Sequence, residues 1–214
     1  MRNKNYRHYL EVIVLLTAIV FAVWLLWYVN TAHSAELPHP IERAILHVVH
    51  YGIPAHDVKP RPNHPLTKDP ARMAELVSAI DEASRAYDID RPGFFMVSIA
   101  FRENSFLPDD VGGLGERGVF QMIPAVAARV HDEIDNRCTL DTVRGSAFCA
   151  AAWLNHWRQK CGSLRGAFVV YATGQKVCKP YSEKTRWVVR DRFGIAKKLR
   201  RAVAPSMADP RARL

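Results

Sequence analysis

A mainly α-helical domain preceded by a membrane-spanning helix is the fold the sequence predicts, and three observations carry it. Residues 12–29 form an apolar run in which Thr17 is the only polar side chain. From Asp69 onward, apolar residues recur at the period of a helix with one buried face. No convincing alternation of apolar and polar residues marks a strand, although residues 111–122 have room for a small β-hairpin.

The chain opens on a basic segment, residues 1–9, carrying Arg2, Lys4 and Arg7. The apolar run that follows makes roughly 27 Å of helix, enough to cross the hydrocarbon of a bilayer. Trp24, Trp27 and Tyr28 lie toward its far end, where amphipathic rings suit the membrane interface. The basic flank should stay in the cytoplasm while the rest is translocated. Residues 10–30 are therefore read as a transmembrane signal anchor in the inner membrane, with the body of the chain in the periplasm. Ala32-His33-Ser34 also resembles a cleavage site, so a removed signal peptide and an exported body stay open.

Residues 31–68 read as a linker rich in proline and histidine. Within it only IERAILHVVHYG looks helical, with Ile41, Ala44, Ile45, Val48 and Val49 on one face. His47 and His50 stand one turn apart but have no acidic or cysteine partner in place, so no metal site is expected there.

The globular domain is expected over residues 69–195. Asp69-Pro70 opens its first helix as N-cap and first helical residue, and Met73, Leu76, Val77, Ile80 and Ala83 give the buried face. A second helix follows Pro92 as GFFMVSIAFREN, and a third covers residues 125–135 with Val126 and Val130 on one face. CAAAWLNHWRQK makes a fourth, and GSLRGAFVVYATG a fifth that stops at Gly174. Residues 196–214 read as a solvated basic tail.

Four cysteines, Cys138, Cys149, Cys161 and Cys178, lie in the exported part, where an even number implies two disulfides. Three connectivities are open; the sequential one closes two short loops and is the expected pairing. No zinc-type spacing is present, and no metal or other cofactor is expected. The net charge of +9 suits any polyanion. No nucleic-acid motif is visible, and an exported protein meets wall or lipid instead.

The stretch FRENSFLPDDVGGLGERGVFQMIP, residues 101–124, concentrates the chemistry. Glu103 ends an apolar helix, where desolvation and the helix dipole both disfavour a negative charge. That pushes toward a neutral, proton-donating carboxyl, the form a general acid needs. Gly112, Gly113, Gly115 and Gly118 allow backbone to approach a ligand closely. Gln121 is an uncharged hydrogen-bonding group among apolar neighbours, suited to a sugar amide or hydroxyl or to a satisfied place in the core.

Residues 103–124 resemble the signature of the soluble-lytic-transglycosylase type of lysozyme-like domain, E-S-S-F-x-P followed by G-x-R-G-L-M-Q-x-M-P. Glu103, Ser105, Phe106, Pro108, Gly115, Arg117, Gly118, Gln121 and Pro124 fall in register without a gap. YATG at 171–174 is similar to the Y-N-A-G motif of that family, and the resemblance covers about residues 72–190. It implies a lysozyme-like fold and a lytic transglycosylase acting on peptidoglycan glycan strands. Glu103 would be the sole catalytic acid/base at the bond between N-acetylmuramic acid and N-acetylglucosamine, leaving a 1,6-anhydro sugar. Gln121, Tyr171, Asn104 and Phe120 would meet the substrate, and Arg117 would brace the loop. Asn104 stands where the family has Ser, Phe120 where it has Met, and Ala172-Thr173 where it has Asn-Ala.

Two other readings stay open. A hydrolytic muramidase similar to goose-type lysozyme needs a second carboxylate, for which Asp109 and Asp110 are the candidates. A membrane-tethered wall-binding or assembly scaffold would need no acid at all. A secretion, conjugation or phage apparatus is a conceivable setting, and the sequence names no protein partner.

Overall fold

The computed structural model describes residues 38–203 together with Phe21. The expected membrane segment (Phe21 apart), its basic flank and the final residues 204–214 lie outside the described residues. Among the described residues, no helix is long and apolar enough to cross a membrane.

Among the described residues from His39 onward there are seven α-helices and no strand. They are α1 (Pro40–Tyr51), α2 (Pro70–Ala86), α3 (Phe94–Asn104), α4 (Pro124–Glu133), α5 (Val143–Cys161), α6 (Leu164–Thr173) and α7 (Glu183–Val203). In place of a hairpin in residues 111–122 there is one isolated antiparallel bridge, Arg117 to Met122.

The starts follow local chemistry. The Asp69 carboxylate accepts from the Arg72 amide at 3.0 Å, capping α2 as its sequence implies. Thr142 caps α5 through the Gly145 amide and Ser163 caps α6 through the Gly166 amide. Helix α5 therefore begins several residues before the alanine-rich stretch that announces it. Gly174 ends α6 in the left-handed region, φ 67°.

Eight consecutive residues of α3, Phe94 to Phe101, are buried, so this helix is enclosed on all sides. Helix α7 packs along it, and α1 lies against both. Helix α5 packs on α2 and α6. Phe95 joins three of these helices, its ring 5.3 Å from Phe168 of α6 and 4.4 Å from Phe193 of α7.

Two boundaries differ from those the sequence implies. The expected linker belongs to the core from residue 39: Ile41, Ala44, Ile45, Val48 and Val49 are fully buried, and Ile53, Val58 and Leu66 nearly so. Its prolines mislead because Pro40, Pro54 and Pro65 each stand in the first turn of a helix or 3-10 turn. There the missing amide costs nothing. The expected tail is likewise helical through Val203, and Leu199 and Val203 are buried. Helix α7 carries so many lysines and arginines that its apolar period, Val189, Ile195, Ala196, Leu199 and Val203, is easily read as solvated.

Both disulfides pair sequentially, Cys138 with Cys149 and Cys161 with Cys178. The first ties the segment after α4 to α5, and the second ties the end of α5 to the loop beyond α6. Leu199→Ala should lower the unfolding free energy by about 3 kcal/mol, as expected for a packed leucine. Chemical denaturation checks this, and an unchanged midpoint would return residue 199 to a solvated tail.

Candidate functional site

Glu103 occupies the last turn of α3, and the chain reverses directly behind it. Ser105 and Phe106 both take left-handed backbone, φ 58° and 66°, a conformation that non-glycine residues seldom adopt. The Ser105 amide closes on Phe101 and the Phe106 amide on Ala100. The Arg61 guanidinium donates to Ser105 Oγ at 2.5 Å. A helix end held this way gives Glu103 a defined direction.

The surroundings of Glu103 are not the apolar shell its sequence neighbours imply. Its side chain is 27% exposed, and Oε1 accepts from Arg192 Nη2 at 3.1 Å. Arg192 comes from α7, and its Nη1 donates to Asp191 Oδ2 at 2.8 Å. The Asp191 side chain is 2% exposed and also receives Arg102, Nε at 2.9 Å and Nη2 at 2.8 Å. His56 Nδ1 stands 3.2 Å from the same carboxylate, and the His56 carbonyl accepts from Arg102 at 2.6 Å. Gly194 makes room for that imidazole: a Cβ there would meet His56 Cε1 at 2.1 Å.

Burial alone would push the Asp191 carboxyl upward, but the hydrogen bonds and charges of Arg102 and Arg192 outweigh it and hold it below its ordinary range. Two guanidinium groups are thus set against two carboxylates at the junction of α3 and α7.

The other residues implied by the resemblance divide into two kinds. The Tyr171 hydroxyl donates to the Phe120 carbonyl at 2.5 Å, fixing α6 against the loop before α4. Burial pushes its phenol well above the ordinary range, the charge on Glu103 adds to that push and Arg192 opposes it. Asn104 donates to the Leu107 and Gly118 carbonyls and accepts from the Leu107 amide, so it staples the loop to the end of α3. Gln121, at φ 46°, donates to the Asp110 and Gly118 carbonyls. Both amides brace backbone here.

Phe120 corrects an expectation. Its side chain is fully buried, so it packs in the core and offers substrate no surface. The run Val119-Phe120 is apolar because the loop is folded inward at that point.

The candidate second carboxylates lie on the loop. Asp109 is almost fully exposed and pairs with Arg72 at 3.1 Å. Asp109, Asp110, Glu75, Asp141 and Arg117 line a cleft of about 450 Å³, of which Glu103 is not a wall. Arg117 also borders a second hollow of about 370 Å³ with His131. It was expected as a loop brace; its backbone bridges to Met122, and the residue borders both hollows. Among the described residues, no group of three His, Cys, Asp or Glu side chains is placed to hold a metal ion.

No family model, curated protein or solved structure matches this chain.

Arg192, Asp191, Arg102 and His56 escape a reading built on the motif alone. Their one signal is position: Arg192 falls between Val189 and Ile195 on the apolar face of α7. Asp191→Asn would leave two guanidinium groups facing an uncharged amide, at a cost of about 3 kcal/mol near neutral pH. The Asp191 carboxyl is depressed in the folded state, so its contribution is present above about pH 4 and is lost as pH falls through the folded value. Unfolding free energies of the two proteins, measured from pH 2 to 7, should therefore differ at neutrality and converge in acid.

Proposed function

We propose that this chain is a lytic transglycosylase that cleaves the β-1,4 bond between N-acetylmuramic acid and N-acetylglucosamine in peptidoglycan. One observation carries the reading beyond the motif. Asp191, which shares Arg192 with Glu103, is buried and saturated by Arg102, Arg192 and His56, so it is not free to activate a water. Glu103 is therefore the carboxylate left to act at this junction, as it would be in single-carboxylate chemistry.

With a proton on Oε2, the oxygen that Arg192 does not hold, Glu103 acts as the acid and passes that proton to the glycosidic oxygen as the bond breaks. The carboxylate then takes the proton of the muramic acid C6 hydroxyl, whose oxygen closes on its own anomeric carbon. No water is consumed, and a second carboxylate is unnecessary because the nucleophile belongs to the substrate. Asn104 acts from behind by tying the loop to the end of α3, Gln121 by bracing the loop on itself, and Tyr171 stands near the reacting bond. The expected membrane anchor would confine this cutting to wall close to the inner membrane, on the periplasmic side.

The hydrolytic reading would use Asp109 or Asp110, which are exposed on the loop and line a cleft that Glu103 does not border. The full chain, disulfides intact, should be incubated with purified peptidoglycan and the new sugar ends identified by mass spectrometry. Anhydro-muramic ends are expected, with Glu103→Gln slower by about 10³-fold while glycan binding is retained. Reducing ends would move the assignment to a muramidase using Asp109 or Asp110. An intact wall beside folded protein would move it to a wall-binding scaffold.

A further inference from the structure

Arg192 is an expensive residue to bury. Its side chain is 9% exposed, and its Nε finds no hydrogen-bond partner among the described residues. A buried ion pair often stabilises a fold no better than apolar residues of similar size. A leucine on this face of α7 would satisfy the packing.

What Arg192 supplies is a fixed direction. One nitrogen, Nη1, is anchored at 2.8 Å to Asp191, and Asp191 is itself clamped by Arg102 and His56. The other, Nη2, holds Oε1 of Glu103 at 3.1 Å. Oε2 of Glu103 accepts no hydrogen bond among the described residues, so it is the oxygen without a protein partner.

We propose that Arg192 is a positioning residue for Glu103, holding Oε1 so that Oε2 gives and recovers the proton. The inference rests on the reading of Glu103 as the acid/base. When the proton leaves Oε2 for the glycosidic oxygen, the electron pair of the breaking bond goes to that oxygen. Glu103 becomes a carboxylate beside a guanidinium already in place, which stabilises this state without reorganisation. The C6 oxygen then bonds the anomeric carbon, and its proton returns to Oε2. Charge and atoms balance, and Arg192 exchanges nothing. Lysine would keep the charge but not the planar fork that spans Asp191 and Glu103.

The full chain would be compared with Arg192→Gln and Arg192→Lys in two measurements. The first is kcat and KM on purified glycan strands. The second is labelling of Glu103 by a water-soluble carbodiimide and an amine, read by peptide mass spectrometry. Arg192→Gln should lower kcat about tenfold or more with KM within about twofold, and Arg192→Lys should recover part of the loss. Labelling of Glu103 should rise about threefold or more in Arg192→Gln as its carboxylate loses its partner. Wild-type kcat in a folded Arg192→Gln protein, or unchanged labelling, overturns the proposal. If Arg192→Gln does not fold, Arg192→Lys decides: kcat below wild type with KM kept supports it, and wild-type kcat overturns it. Should the wild type leave glycan intact, the functional reading falls. Labelling then decides the Arg192 contact alone.

Discussion

The carboxylate of Asp191 is the interaction on which the site depends. Removed from water, it is kept charged by two guanidinium groups, and in return it keeps both of them in place. Arg102 belongs to α3, Arg192 to α7, and His56 to the turn after α1. One side chain thereby ties three segments, far apart in sequence, to the end of the helix that carries Glu103. Hydrophobic burial supplies most of the cohesion around it. It does not by itself specify where a polar side chain at a helix end will point.

Much of the fold was legible in the sequence. The helical period gave α2 through α6 and the face of α1, and capping residues such as Asp69 marked a start to within a residue or so. The two boundaries that shifted share a physical cause. Proline at the first turn of a helix looks like a linker, and lysine or arginine on the outer face of a helix looks like a tail. Ile41 to Val49 read as an apolar face in the sequence itself, whereas Leu199 and Val203 fall in the segment that reads as a solvated tail.

For the candidate site, the motif names residues but says nothing of how they are wired together. Asn104 and Gln121 both donate to the Gly118 carbonyl, on the loop that follows Glu103, and Tyr171 bonds the Phe120 carbonyl of the same loop. Their roles were harder to read, because an amide that suits a sugar also suits a backbone carbonyl. Phe120 was misplaced for a similar reason, since an apolar residue beside a site lines it or lies beneath it according to how the loop folds. Arg192 was hidden because its contact depends on how two helices pack, and local spacing says nothing about that.

The order of charges along the two helices carries a consequence of its own. On α3 the cation precedes the anion, Arg102 then Glu103; on α7 the anion precedes the cation, Asp191 then Arg192. Exchanging partners across the junction would set guanidinium on guanidinium and carboxylate on carboxylate. Two packed helices can often slide to a neighbouring register at little cost when only apolar side chains meet. Here the charge order disfavours a swapped pairing of these four groups, since like charges would then face each other.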